Sequence, residues 1–202
     1  MHLSKTNLLS ISVLIVTLLS CQNEDLQIKP EMNNTPYFDL KGLINQQVAL
    51  LDSLQPEVTI AASIGERTDT QTLKKDSANW AESLKLYADA DLNKPVLRDQ
   101  YLVSDSSLVQ EDLQVRTYRA KDQQEVDIPF MQVIYEDSIT QVREVEAVFR
   151  EDNPLYTTQR QMKLYFEADG SHLRLVRYTT SGKQKMILRD SVTYQTEARI
   201  KY

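Results

Sequence analysis

Cysteine is almost missing from this chain of 202 residues, with Cys21 the only one. No internal disulfide can form, so any core must hold together without one. Glycine is scarce too, present only as Gly42, Gly65, Gly170 and Gly182. None of these pairs into a Gly-rich loop that could wrap a phosphate, which excludes nucleotide binding of the Rossmann and P-loop kinds. Histidine occurs twice, at His2 and His172, too few for a histidine-based metal site. No apolar run reaches the roughly 20 residues that a spanning helix needs. The longest, Leu8 to Leu19, is interrupted by Ser10, Ser12 and Thr17. Basic side chains are outnumbered, 23 against 29 acidic, for a net charge of −6. Excess acid argues against a nucleic-acid partner, which would need a basic patch on the protein.

What is present begins with the leader. Lys5 supplies a short basic start, Leu8 to Leu19 an apolar stretch, and Ser20 a small residue before Cys21. That is the three-part plan of a secretory signal peptide. Leu18, Leu19, Ser20 and Cys21 resemble the lipobox of bacterial lipoproteins. The resemblance implies that Cys21 is acylated, by palmitate among other chains, and becomes the mature N-terminus, with the membrane as partner through the lipid. A single acyl chain binds membranes with only about 10⁴ M⁻¹, whereas the several chains implied here would anchor the protein permanently. Gln22 stands where enteric-type lipoproteins retained at the inner membrane carry aspartate, so the resemblance implies the outer membrane. Asn23, Glu24 and Asp25 are similar to the surface-export signal of Bacteroidota-type lipoproteins, although a solvated tether would read the same. Cell surface and periplasmic face therefore both stand. With Lys5 removed, the mature chain has 22 basic side chains against 29 acidic ones.

These features divide the chain into a signal peptide over 1–20, a lipidated cysteine with a flexible tether over 21–35, and one α+β domain over 36–202. The tether contains Pro30, Asn33 and Asn34 and no apolar periodicity. Extended, it could reach roughly 45 Å from the lipid. Thr35 as cap and Pro36 at the first helical position open a helix over Tyr37 to Leu54. Its Leu40, Leu43, Ile44, Val48, Leu51 and Leu54 form one stripe. A hairpin over Val58 to Leu73 follows, turning at Gly65. A second helix is capped by Asp76 or Ser77, with Trp80, Leu84, Tyr87 and Ala88 on one face. Trp80 at that spacing is a core anchor.

Beyond Leu113 the texture is that of an antiparallel meander of about six strands: Leu113–Ala120, Val126–Tyr135, Ile139–Phe149, Tyr156–Glu167, His172–Thr179 and Lys185–Ile200. Asp169-Gly170 and Ser181-Gly182 read as two-residue hairpin turns. Alternation sets Met162, Leu164 and Phe166 on an apolar face against Gln161, Lys163 and Glu167 on a wet one. Pro129 implies a bulge or an edge at the start of its strand. The fold class is α+β, two amphipathic helices and a short hairpin leading the meander. The helices lie on its apolar face or, if the sheet curves strongly, a half-barrel encloses a cavity.

Chemistry is thin. His172 follows a turn and reads as a surface histidine. Glu136 with Asp137, Glu144 with Glu146, and Glu151 with Asp152 are carboxylate pairs, but alternation with Arg143 and Arg150 reads as cross-strand charge pairing. Asp89, Asp91 and Asn93 are followed by Lys94 where a calcium loop needs glycine. No catalytic or metal residue and no cofactor is assigned, and Cys21 is the one site residue, for lipidation. The expectation is a lipid-anchored envelope protein acting as a non-enzymatic binding or accessory module for another envelope component. The alternative is a carrier of an apolar ligand or lipid in a curved-sheet pocket.

Overall fold

A computed structural model describes residues 36–108, 112–170 and 172–202. The signal peptide, Cys21 and the tether lie outside the described residues. The elements run α1 (Leu40–Leu54), β1 (Glu57–Ile64), β2 (Arg67–Lys74), α2 (Ser77–Ala88), a 3₁₀ turn (Pro95–Leu97), β3 (Tyr101–Leu108), β4 (Leu113–Ala120), β5 (Phe130–Tyr135), β6 (Val142–Asp152), β7 (Tyr156–Asp169), β8 (His172–Met186) and β9 (Val192–Lys201). All the strands belong to one nine-stranded antiparallel sheet ordered β2-β1-β9-β8-β7-β6-β5-β4-β3.

This corrects the expected architecture. Two helices and a separate hairpin do not precede a meander of about six strands. The hairpin is the far end of the same sheet, with Val58 opposite Ile200 and Ile60 opposite Ala198. An isolated two-stranded ribbon is marginal in water, and pairing β1 with β9 extends the apolar face across both. The sheet also gains β3, an edge strand whose sequence YLVSDSSL lacks the apolar alternation of a half-buried strand.

Further local differences have local causes. Gly182 is not a turn residue but lies inside β8, opposite Arg160 and Tyr194. A Cβ there would stand 2.5 Å from the Tyr194 hydroxyl and 2.7 Å from the Gln159 carbonyl, so glycine permits close approach and not reversal. The chain reverses later, at Ile187–Ser191. β5 starts only at Phe130, because Pro129 has no N–H to give a ladder. The Pro129 carbonyl still accepts from the Ala120 N–H at 3.0 Å.

The apolar face is continuous across the register: Val133, Val145, Leu164, Tyr178 and Ala198 fall on one row and all are buried. Leu40, Ile44, Gln47 and Leu51 of α1 and Trp80, Leu84 and Tyr87 of α2 cover it. Each fully buried apolar side chain contributes on the order of 1.5–3 kcal/mol. The other face is polar, with Lys163 bridging Glu144 at 2.9 Å and Glu146 at 3.1 Å. Burial opposes the Lys163 charge, but hydrogen bonds to the two carboxylates outweigh it and raise its pKa.

Polar contacts fix where the helices sit. α1 starts at Leu40 and not beside Pro36, because Asp39 accepts the Gly42 N–H at 2.8 Å. Buried Asp91, after α2, accepts the Leu40 N–H at 3.1 Å, a negative charge at the positive end of the helix. Asp76 caps α2 through the Asn79 N–H at 2.8 Å. Midway along α1, the Gln47 amide acts as a substitute strand. Its nitrogen donates to the Leu173 carbonyl at 2.9 Å and its oxygen accepts the Leu175 N–H at 2.8 Å. β9 reaches only as far as Arg177, so Gln47 satisfies the part of β8 that β9 leaves unpaired. Replacing it with leucine should therefore destabilise the protein by about 1–3 kcal/mol in urea unfolding, despite the added apolar surface. An unchanged or raised midpoint would show that the amide is dispensable.

Candidate binding cleft beside the first helix

α1 buries one side against the sheet and leaves another side unfilled. Between that side and the β5–β6 and β7–β8 turns lies a cleft of 860 Å³. Leu43 and Leu50 line it from α1 and Phe38 from just ahead of it, while Val142 and Leu173 line it from the sheet and Ile139 from the β5–β6 turn. Gln46, Ser53, Thr140 and His172 bring polar atoms to the same space. Beneath the helices, by contrast, the void among Leu40, Tyr87, Val145 and Leu164 has no room for a water-sized probe, 0 Å³. The inner face of the sheet is a packed core, and the open space lies beside it.

The charged groups at the cleft are already matched. Arg116 grips Asp105 with two bonds, Nε to Oδ1 at 2.7 Å and Nη2 to Oδ2 at 2.9 Å. Hydrogen bonding to this guanidinium holds the Asp105 carboxyl below its usual range. Asp39 is engaged with the helix start. One end wall is a tyrosine cluster, with the Tyr37 ring 5.4 Å from Tyr101 and 5.8 Å from Tyr118, both edge-on. The Phe38 N–H donates to the Tyr118 hydroxyl at 3.2 Å, and burial raises the Tyr118 pKa. The lining suits a ligand with an apolar body and an uncharged hydrogen-bonding end.

The sequence candidates are placed as follows. His172 is exposed at the start of β8 and sits on the cleft rim. Glu144 and Glu146 hold Lys163, Glu136 accepts from Arg143 Nε at 2.8 Å, and Glu151 accepts from the Tyr156 hydroxyl at 2.5 Å. None of these carboxylates lines the cleft. Asp89 pairs with Lys85, and Asp91 turns toward α1. Among the described residues no three metal-ligating side chains converge. No described helix is long and apolar enough to cross a membrane. Trp80 and Tyr178 are core residues. Arg116 and the cleft walls carried no sequence signal, since the chain segments that build them are far apart until folded.

A second constellation also escaped the sequence reading. Lys75 is buried with no carboxylate partner among the described residues. Its ammonium donates to Ser83 Oγ at 2.6 Å and to the Tyr178 hydroxyl at 3.4 Å, and lies 5.1 Å from the Trp80 ring centre. Ser83 spends its proton on the Asn79 carbonyl at 2.7 Å, so it is not a nucleophile aimed at Lys75 as base. Neither residue lines the cleft.

No protein-family model matches the chain, and no curated protein matches it.

Burial lowers the Lys75 pKa from 10.5, so between the lowered value and 10.5 the folded chain binds fewer protons than the unfolded one. Stability contributed at this site should rise as pH rises through that window. A Lys75→Met chain should lack this part of the rise in pH-dependent thermal melts. Identical pH profiles for the two chains would refute the assignment.

Proposed function

We propose that the chain is a lipid-anchored protein of the bacterial cell envelope, held at the outer membrane through Cys21, and that it works as a non-enzymatic binding module. The observation that carries the binding role is the 860 Å³ cleft beside α1, whose arginine is already bonded to Asp105 and whose walls are apolar and polar in nearly equal measure. Its volume falls in the range of roughly 300–1,000 Å³ typical of ligand sites. The anchor rests on the lipobox-like Leu18 to Cys21, and the acidic balance of the mature chain suits an exposed, non-sticky surface.

Carriage of an apolar ligand is the second reading, and the cleft favours it in a changed position. The inner face of the sheet is filled by α1 and α2, so a carried molecule would lie alongside α1 and not within a curve of the sheet.

Two variants test the proposal. Cys21→Ser should release a folded chain from the membrane fraction in a high-salt wash, and a chain that stays membrane-bound through that wash sinks the anchor. Native mass spectrometry on the released chain should find either a small molecule at near-equal stoichiometry, the carrier outcome, or a clean mass with partner crosslinks at the cleft. Leu50→Arg, on the cleft wall, should abolish either signal while shifting stability by no more than about 1 kcal/mol. If neither signal responds, the cleft is not the binding site.

A further inference from the structure

The end of the sheet opposite the cleft turns carries an unusual concentration of bare apolar side chains. The register sets Ile64 opposite Tyr194, Met186 opposite Tyr156 and Val192 opposite Gln184, so the β1–β2, β6–β7 and β8–β9 turns share that end. They are also joined. The Ile187 N–H donates to the Leu155 carbonyl at 2.9 Å, and the Gly65 N–H to the Thr193 carbonyl at 3.0 Å. On these turns Ile64 is 62% exposed, Leu155 67%, Ile187 62% and Leu188 98%, with Met186 and Val192 about half exposed beside them. One exposed leucine needs no explanation, but a cluster of this size on adjoining turns marks a contact surface.

Leu188 adds a second observation. Its φ is +60°, a backbone region where a bulky L-residue is strained and glycine is not. The turn thus holds a side chain at its tip at a cost that a plain reversal would avoid. Charge is the third. Lys183, Lys185 and Arg189 flank Met186, Ile187 and Leu188, all three are exposed, and none has a salt bridge among the described residues. The nearby acids are Asp190 in the same turn, Glu66 in the β1–β2 turn, and Glu151 and Asp152, which already bond Tyr156 and Thr157. In a chain of net charge −6, unpaired cations collect around the most exposed apolar residues.

We propose that this end of the sheet is a membrane-contact tip, in which Met186, Ile187 and Leu188 enter the interface of a bilayer whose anionic headgroups Lys183, Lys185 and Arg189 engage. Apolar residues with flanking cations are what an interfacial contact requires, the stems of the lysines lying along the boundary with their charges among the headgroups. The contact is reversible and independent of the Cys21 lipid, so it would aim the domain relative to a membrane surface.

The test uses the full chain with Cys21→Ser, so that neither acylation nor a second thiol intervenes and any leader acts equally on every variant. Flotation with phosphatidylethanolamine vesicles containing phosphatidylglycerol should show binding that falls as salt is raised or as phosphatidylglycerol is omitted. Leu188→Gly relieves the backbone strain, so it should leave the chain at least as stable yet weaken binding roughly tenfold or more. Replacing Lys183, Lys185 and Arg189 by glutamine should remove the lipid-charge dependence. A polarity-sensitive dye on Leu188→Cys should shift to the blue on these vesicles. Binding by Leu188→Gly equal to the parent, indifference to phosphatidylglycerol, or a dye that stays in water while the tip crosslinks to an envelope protein would each overturn the proposal.

Discussion

A sheet with one apolar face persists in water only if that face is roofed, and this requirement governs the molecule. Strand pairing satisfies the backbone but does nothing for Val133, Val145, Leu164 and Tyr178, which would otherwise face solvent. α1 and α2 provide the cover, and polar contacts hold them in position: Gln47 bonds α1 to β8, and Asp91 fixes where α1 begins. Because α1 is committed to the sheet along one side, its other side cannot close against the β5–β6 and β7–β8 turns. The cleft is what this arrangement leaves over.

The same economy governs the polar contacts. Several of its acidic residues are spent on ladders and caps. Lys163 takes two carboxylates, Arg116 takes Asp105, and Asp39, Asp76 and Asp91 serve helix starts. On the polar face Arg177 lies 3.7 Å from the Tyr165 ring centre, a stacking contact between adjacent strands. Lys75 stands apart as a buried amine without a counter-ion among the described residues, and its environment is that of a core residue.

Local sequence patterns located individual elements but not the nine-stranded sheet that joins them. The stripe on α1, the Asp76 start of α2, the Gly65 turn and the parity of β7 are local patterns, and each is present in the fold. What escaped depends on partners distant in sequence. Asp39 and Asp91 decide the start of α1, but Asp91 lies beyond α2. Ser181-Gly182 resembles a turn locally, and only Tyr194 on the neighbouring strand shows why the glycine is there. β3 owes its extended form to β4, since its own composition is that of a loop. The true reversal, Ile187–Ser191, opens on Ile187 and Leu188 and has neither glycine nor proline, so its turn signal, Asp190 and Ser191, is weaker than that of Ser181-Gly182. The cleft was illegible for the same reason: Phe38, Ile139 and Leu173 meet only after α1 has docked.

The pairing of β1 with β9 joins the first strand of the domain to the last. Seven strands, from β3 to β9, can zip one after another with short turns between them. The leading hairpin cannot, because its only partner apart from itself is Val192–Lys201. During synthesis β1 and β2 therefore wait for β9, and the longest loop in the fold closes only when it docks. A chain built this way keeps its leading hairpin unpaired until β9 is in place, and losing β9 would undo the start of the domain as surely as its end.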